Sequence, residues 1–262
     1  MQVLGKVWRK ASARIRKAFL SPKRWLSRRV RTIDSRIIRL GTSYGGWHIA
    51  DNGRLEGAVA ILAGAGEDIS FDLALQKRFK CQVIIVDPTP RAIAHVQAVM
   101  DSIRSGTPMA INAASETYDF DGVDASSIRF LPVALWDAKT TLKFWVPMNS
   151  EHVSHSVTNI QGTNSFIEVP AVGLQDVLSE CALEPDRLEL IKLDIEGAET
   201  HVLSAMLQGR LRPSQVLVEY DEIHFPTRAS VARVKESVSA LEANGYILAH
   251  YDGNANCLFV KV

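Results

Sequence analysis

Residues 58–68 read AVAILAGAGED, an apolar run that leads directly into an acidic turn containing two glycines. An uninterrupted apolar run of this kind is typical of a strand that is buried on both faces of a parallel sheet. Glycine allows a sharp turn after such a strand and lets the backbone approach a ligand closely. The stretch therefore predicts the first strand–turn–helix unit of an α/β domain, with a ligand site at the turn.

The same alternation of strand and helix continues along the chain. Apolar runs at residues 82–86, 188–193 and 215–220 predict further buried strands, and segments with helical spacing lie between them. Residues 246–251 and 256–262 predict a closing hairpin. We therefore expect a mostly parallel sheet with helices on both faces, whose ligands bind at the carboxyl ends of the strands.

A carboxylate at the end of the second strand indicates a nucleoside cofactor. Asp87 stands 21 residues after Gly66, at a place from which a carboxylate can accept hydrogen bonds from both ribose hydroxyls. The third glycine of the dinucleotide fingerprint is missing. Glu67 and Asp68 also put negative charge at the start of the helix, where a pyrophosphate would bind. S-adenosylmethionine has no phosphate and carries a cationic ammonium and sulfonium, so it suits this acidic turn.

Residues 190–199, LIKLDIEGAE, place carboxylates at the end of a central strand. Asp194 and Glu196 can serve there as a base, as orienting groups or as metal ligands. The alternative is that Glu196 or Glu199 caps the following helix. A divalent ion held by Asp194, Glu196 and Glu219 is chemically possible, but no ligand spacing in the sequence requires it, and we predict no metal site.

The charges of the chain are divided unevenly. Residues 1–40 contain 13 Lys or Arg and one acidic residue, for a net charge of +12, whereas the remaining 222 residues carry −11. Apolar residues recur at helical spacing within the basic segment. We therefore predict two units, a basic amphipathic helical arm at 1–40 and a globular domain at 41–262. The apolar stripe of the arm favours packing on the domain or on a second subunit; the alternative is that the arm binds an anionic membrane surface.

Several classes of protein and site are excluded by simple features. No run of about 18 apolar residues occurs, and the basic N-terminus lacks the continuous apolar core of a signal peptide. We expect a cytoplasmic protein, with peripheral attachment to a membrane as the variant that the arm suggests. Nucleic acid is not an expected partner.

Cys81, Cys181 and Cys257 are far apart, which favours reduced thiols over disulfides or a zinc site. Nothing in the sequence indicates an oligomeric state.

Taken together, these motifs resemble the FkbM family of methyltransferases, in order from about residue 41 to residue 262. The segments that carry the resemblance are 44–47 (YGGW), 64–72 (GAGEDISFD), 87–91 (DPTPR), 134–137 (ALWD), 152–156 (HVSHS) and 192–199 (KLDIEGAE). Two positions depart from the family pattern. Leu62 stands where many members have an Asp, and Gly66 stands where an Asn is common.

The resemblance implies a Rossmann-like methyltransferase fold with a mostly parallel seven-stranded sheet and a C-terminal antiparallel hairpin. It also implies S-adenosylmethionine as methyl donor and O-methylation of a hydroxyl on a sugar, a glycan or another natural product. The expected cofactor-binding residues are Gly64, Gly66, Glu67, Asp68, Asp87, Pro88 and Asp137. The expected catalytic residues are Asp194, Glu196 and His155.

Histidine titrates near neutrality, so His155 is our first choice for the general base that takes the proton of the acceptor hydroxyl. His152, His224 and Glu219 are the alternatives. Two other functions stay open at this point. A nicotinamide-dependent oxidoreductase could use the same sheet, although the missing glycine and the acidic turn argue against it. The departure at Leu62 allows a non-catalytic adaptor with a degenerate methyltransferase fold that docks through its basic arm.

Overall fold

The computed structural model describes residues 22–111, 116–145, 165–224 and 226–262. Within these ranges the helices are α1 (Pro22–Ser27), α2 (Ser70–Phe79), α3 (Pro90–Ser105), α4 (Leu174–Glu180), α5 (Glu199–Gln208) and α6 (Arg228–Ala243). Short 3-10 turns lie at Ala125–Ser127, Pro185–Arg187 and Asp221–Ile223. The strands are β1 (Arg36–Leu40), β2 (Trp47–Asp51), β3 (Val59–Ala63), β4 (Gln82–Val86), β5 (Ala110–Ile111), β6 (Glu116–Thr117), β7 (Ile128–Leu131), β8 (Ala134–Leu135), β9 (Thr140–Trp145), β10 (Phe166–Val172), β11 (Leu188–Leu193), β12 (Gln215–Glu219), β13 (Tyr246–Tyr251) and β14 (Asn256–Lys261).

The main sheet has seven strands in the order β13–β14–β12–β11–β3–β4–β7. Five of them, from β12 to β7, run parallel to one another. Strand β14 is antiparallel to both of its neighbours. The predicted mostly parallel sheet and its C-terminal hairpin are therefore confirmed. The chain order reverses at β3, which lies between β4 and β11, and open α/β sheets bind their ligands at such a switch point.

Strand β3 shows why these strands are continuously apolar. All five residues are buried; Val59, Ile61 and Ala63 pack into the core on one face, while Ala60 and Leu62 pack into the core on the other. Successive side chains of a strand point to opposite faces, so a sheet covered by helices on both faces needs apolar residues throughout. Leu62 has no exposed surface, and an ionised carboxylate at its place would be costly to bury.

The segment before the domain departs from the predicted helical arm. Residues 1–21 lie outside the described ranges, helix α1 ends at Ser27, and Arg36–Leu40 forms strand β1, which pairs antiparallel with β2. The helical prediction is therefore wrong for residues 36–40, because cross-strand pairing outweighs their irregular helical spacing. Leu26 is fully buried in the main core, so α1 packs on the domain. The division into two units at residue 41 stays a prediction.

Smaller sheets flank the main one: β1–β2, β5–β6 and β8–β10–β9. Residues 128–135 do not form one continuous strand, because β7 ends at Leu131 and β8 pairs with β10 in a different sheet. Residues 112–115 and 146–164 lie outside the described ranges. Among the helices that the structure describes, none has the length and apolar character needed to cross a membrane.

Candidate active site

A cavity of about 920 Å³ opens at the carboxyl ends of β3, β4, β11 and β12, where the switch point predicts a ligand. Its wall is built mainly from residues 43–48, 64–68, 86–89, 134–135 and 194–196, with further side chains from β12 and from the β13–β14 hairpin. Eight predicted site residues line it: Gly64, Gly66, Glu67, Asp68, Asp87, Pro88, Asp194 and Glu196.

The turn that follows β3, residues 64–68, is called the first turn, and its two glycines have different structural reasons. Gly64 has φ of +89°, and a Cβ there would lie 1.8 Å from the carbonyl oxygen of Asp194. Its glycine is therefore imposed by the close approach of the chain after β11. Gly66 has φ of +53° and would place a Cβ in open space. Asn adopts this left-handed conformation more readily than most residues, which is consistent with Asn being common here in the resembled family.

The carboxylate of Asp87 orders the first turn. One oxygen accepts hydrogen bonds from the backbone N–H groups of Ala65 (2.9 Å) and Gly66 (3.2 Å). The other accepts from the N–H (2.8 Å) and the hydroxyl (2.7 Å) of Thr89. A carboxylate offers about four acceptor positions, and these four bonds occupy them. The Asp87 carboxylate therefore connects the first turn to the residues after β4 by hydrogen bonds. Its contact with a ribose stays a prediction.

Asp68 and Glu67 are also engaged by the protein. One oxygen of Asp68 accepts from the Thr42 hydroxyl (2.5 Å) and from the Gly45 N–H (3.2 Å), and the other accepts from the Ser70 N–H (2.8 Å) at the start of α2. Asp68 thus fastens the 42–45 turn onto the first turn. Glu67 forms an ion pair with Arg91 at 2.6 Å. Both acids line the cavity; Arg91 balances the charge of Glu67, whereas the partners of Asp68 are neutral hydrogen-bond donors.

Lys192, a buried lysine that the sequence analysis did not single out, contacts both the first turn and the end of β11. Lys192 is 4% exposed; its Nζ donates to the Gly64 carbonyl at 2.5 Å and lies 3.3 Å from the Asp194 carboxylate. Burial by itself lowers the pKa of the ammonium, but Asp194 and Asp72 outweigh that effect and raise the pKa above its ordinary value. The lysine is therefore held charged. The sequence signal that could have identified it is the presence of a charged residue inside the apolar strand sequence LIKLD, residues 190–194.

Carboxyl groups cluster at the ends of β11 and β12. Glu219 hydrogen-bonds to Asp194, and Asp221 hydrogen-bonds to Glu196. Burial raises the pKa of Glu219 to about 10, and the charges of Asp194 and Asp221 add to the effect. Burial likewise raises the pKa of Asp221 to about 9, with further contributions from Glu196 and Glu199. Without a cation beside them, these two groups hold their protons at neutral pH.

Glu199 shapes the turn between β11 and α5. It is fully buried and accepts hydrogen bonds from the N–H groups of Ile195 (3.0 Å) and Gly197 (3.0 Å). Burial raises its pKa to about 8. Glu196 lies in this turn with φ of +53°. Of the alternatives that the sequence left open, Glu199 is thus the residue bound to backbone at the helix start, whereas Glu196 lines the cavity.

The remaining predicted residues lie elsewhere. Asp137 is exposed and is not part of the cavity wall, which at this point is formed by Ala134 and Leu135. The contact of Asp137 with the cofactor therefore stays a prediction. His152 and His155 lie outside the described residues. His224 lies beside Glu219 and Asp221.

Comparison with known protein families settles what kind of domain this is. Residues 62–248, well over half of the chain, match the family model described as "Methyltransferase FkbM domain". The chain belongs to the FkbM methyltransferase family. The resemblance drawn from the sequence is thereby confirmed, and so is the predicted cofactor, S-adenosylmethionine. No protein of curated function matches the chain in sequence.

Solved structures that resemble this FkbM domain do so at low sequence identity. The fibrillarin pre-rRNA processing protein of Methanococcus jannaschii is 9% identical, with a TM-score of 0.40 over 88% of this chain and 84% of that one. The TYW2 protein of M. jannaschii, in complex with AdoMet, is 11% identical, with a TM-score of 0.31 over 88% and 90%. A variant of MtNAS is 12% identical, with a TM-score of 0.37 over 80% of this chain. The chain spans about half, 55%, of the length of MtNAS.

The cavity of this FkbM domain fits such a cofactor. Among the described residues, no atom lies within 4 Å of where a Cβ of Gly66 would stand, which leaves room for a ligand beside the first turn. The carboxylates of Asp194 and Glu196 face the same space, and acidic groups suit a ligand that carries an ammonium and a sulfonium. A dinucleotide would instead place its phosphates against these negative charges.

Proposed function

We propose that this FkbM methyltransferase transfers a methyl group to a hydroxyl oxygen of a sugar, a glycan or another natural product. The observation that carries the proposal is that one cavity joins the glycine turn at 64–66 to the carboxyl groups of Asp194 and Glu219. A hydroxyl is a weak nucleophile, and its proton must pass to a base during the transfer. The carboxylate of Asp194 supplies a candidate base in the same cavity as the donor site.

Three segments would hold the donor: the backbone of residues 64–66, Pro88, and Ala134–Leu135, all of which line the cavity. Bound S-adenosylmethionine supplies a methyl group on a positively charged sulfur. The residues of the chain align a hydroxyl oxygen with that methyl group and exclude water, since an in-line displacement depends mainly on geometry.

Asp194 is the described residue that we propose as proton acceptor. The acceptor oxygen would take the methyl group as the methyl–sulfur bond breaks and the neutral thioether leaves, and the proton of the acceptor O–H would pass to a carboxylate oxygen of Asp194. Without a cation beside it, Glu219 is protonated at neutral pH and donates its hydrogen bond to Asp194, and Lys192 contacts the same carboxylate at 3.3 Å. His155 remains the alternative proposal for the base, and Glu196 a further carboxylate at the site.

Polar side chains on the β12–β14 side of the cavity are candidates for contact with the acceptor. His48, Asn254 and Asn256 line this side. The ring of His48 lies 4.0 Å from that of His250, and burial, together with His250 and Arg39, lowers the pKa of His48. A neutral imidazole and the amides each offer a donor and an acceptor, which matches the hydrogen-bonding capacity of uncharged hydroxyl groups.

The test combines binding with turnover. We expect calorimetry to show S-adenosylmethionine binding to the wild-type chain and to Asp194→Asn, while transfer of labelled methyl to a panel of hydroxyl-bearing glycosides and natural products is lost in Asp194→Asn. Absence of binding in the wild type would refute the methyl-transfer assignment. Unchanged turnover in Asp194→Asn would remove Asp194 as base and turn attention to His155.

We also propose that the basic N-terminal segment binds an anionic membrane surface, as its charge suggests. Because α1 and β1 pack on the domain, the clean truncation removes residues 1–21 and leaves the rest intact. The full chain is expected to co-sediment with phosphatidylserine-containing vesicles in low salt and to dissociate in high salt. Equal sedimentation of the truncated chain would contradict this role. An adaptor without catalysis would keep vesicle binding but bind no S-adenosylmethionine.

A further inference from the structure

A set of three potential metal ligands lies where β12 ends. Glu219 is the last residue of that strand, and the 3-10 turn Asp221–Ile223 follows it directly. Side chains three residues apart in a 3-10 turn lie over one another, which brings His224 over Asp221. One carboxylate oxygen of Glu219, one of Asp221 and one ring nitrogen of His224 all lie within 4.8 Å of one another. This spacing suits three ligands of one ion, whose bonds are about 2.0–2.4 Å long.

An unsatisfied oxygen on Asp221, a member of the set, is a second observation that a cation would explain. The Oδ2 atom of Asp221 has almost no accessible surface and finds no hydrogen-bond partner among the described residues. A buried polar atom without a partner is costly, and native structures usually satisfy it by a protein group, a water molecule or an ion. A bare cation is smaller than the water molecule that is kept away from this oxygen. It would satisfy Oδ2 without opening the turn.

The contacts of these residues show what an ion would displace. Glu219 hydrogen-bonds to Asp194, and Asp221 hydrogen-bonds to Glu196. Each of these bonds needs a proton between its two carboxyl groups, because an ionised carboxylate only accepts hydrogen bonds. A divalent cation would take the place of the protons on Glu219 and Asp221 and would balance the charge of the two freed carboxylates. The neighbouring Lys192 already contacts the Gly64 carbonyl and Asp194.

We propose that Glu219, Asp221 and His224 form a binding site for a divalent transition-metal ion of the Mn²⁺ or Zn²⁺ class. Two carboxylates and one imidazole are a donor set that such ions accept, whereas Ca²⁺ and Mg²⁺ bind mainly to oxygen. Glu219 belongs both to this set and to the cavity wall, so the ion would lie at the edge of the methyl-transfer cavity. Any action of the ion on an acceptor hydroxyl rests on the proposed function; ion binding itself does not.

The site can be tested without an acceptor substrate. The full-length chain is treated with EDTA, desalted, and titrated with MnCl₂ while the electron paramagnetic resonance signal of free Mn²⁺ is recorded; ZnCl₂ is titrated in parallel by calorimetry. We expect one strong site per chain. His224→Ala and Asp221→Asn should each weaken binding at least about tenfold. His224 is exposed, so its replacement leaves the fold intact.

The matched control is Glu222→Gln. Glu222 lies in the same 3-10 turn but outside the ligand set, and its carboxylate contacts Arg233 at 3.4 Å. Its affinity should equal that of the wild type. Lack of stoichiometric binding of both ions, or equal affinity of wild type and His224→Ala, would overturn the site. Calorimetry of S-adenosylmethionine in EDTA separates the outcomes: retained cofactor binding with no metal binding refutes this site alone and leaves the proposed methyl transfer intact.

Discussion

Replacing Gly64 by alanine tests whether the first turn is imposed by the packing of two strands. The new Cβ would lie 1.8 Å from the carbonyl oxygen of Asp194, in a residue with φ of +89°. Because atoms of this kind essentially never approach closer than 3.0 Å, the chain ends after β3 and β11 would have to separate by roughly 1 Å or more. The same movement would disturb the Gly64–Lys192 hydrogen bond, since its acceptor belongs to Gly64.

The expected magnitude follows from two separate costs. The left-handed backbone costs an alanine about 1–2 kcal/mol. The clash with the backbone of Asp194 adds a further loss of stability, so we expect a total destabilisation of at least about 4 kcal/mol, which is large for a single substitution. For a chain of this size, about 1 kcal/mol corresponds to roughly 2–4 °C in Tm. Gly64→Ala should therefore lower Tm by about 8 °C or more and abolish S-adenosylmethionine binding.

Gly66 provides the matched control, because it also has a positive φ but its Cβ would meet nothing within 4 Å. Gly66→Ala should cost only the backbone term, about 1–2 kcal/mol, and Gly66→Asn less than that. Thermal unfolding followed by circular dichroism, with calorimetry of the cofactor, measures all three variants. A Gly64→Ala protein that melts within about 2 °C of Gly66→Ala would refute the reasoning, since the contact with Asp194 would then be irrelevant.

Three further results are expected. Burial raises the pKa of Asp72 to about 7, so the folded state binds a proton that the unfolded state releases, and the related stability is lost as pH rises from about 4 to about 7. About 2–3 kcal/mol of this loss falls between pH 5 and pH 8, and Asp72→Asn should remove it. Urea midpoints at these two pH values measure the loss, and an unchanged difference between them would contradict the prediction. Lys192→Met should cost about 3–5 kcal/mol because it leaves the Asp194 charge without its partner, and a Tm equal to that of the wild type would show that the ion pair is not needed. Asp87→Ala should loosen the first turn and weaken S-adenosylmethionine binding at least tenfold, or about 1.4 kcal/mol, whereas unchanged affinity would show that its four hydrogen bonds do not shape the donor site.

Much of this architecture could be predicted from the sequence because it depends on local patterns. The apolar runs of β3, β4 and β11 fix which strands are buried, and the order of strands and helices then limits the sheet topology. Strand β1 could not be predicted in this way. Its residues are exposed or half-buried without a regular alternation, and only pairing with β2, seven or more residues along the chain, makes them a strand.

The sequence predicted where the acidic residues of the candidate site lie, but not what several of them do there. Sequence patterns place Asp68, Asp87 and Glu199 at the ends of strands, where ligand contacts are expected. In the folded chain each of these carboxylates accepts backbone N–H groups of a cavity turn. A glycine turn exposes such N–H groups, and a buried N–H must find an acceptor.

This arrangement bears on how the cavity attracts a cationic cofactor. Backbone N–H donors stabilise the carboxylates of Asp68 and Asp87 without cancelling their charge, whereas Arg91 balances the charge of Glu67. Lys192 balances Asp194 on one side, but the Asp194 side chain is 30% exposed and lines the cavity, so an ammonium or a sulfonium can approach it from the other side. On this argument Asp194→Asn should weaken binding of the sulfonium-bearing donor more than binding of its neutral thioether product, because only the former loses a charge–charge attraction. Calorimetry of both ligands measures the difference, and equal losses for the two would assign the attraction to other residues.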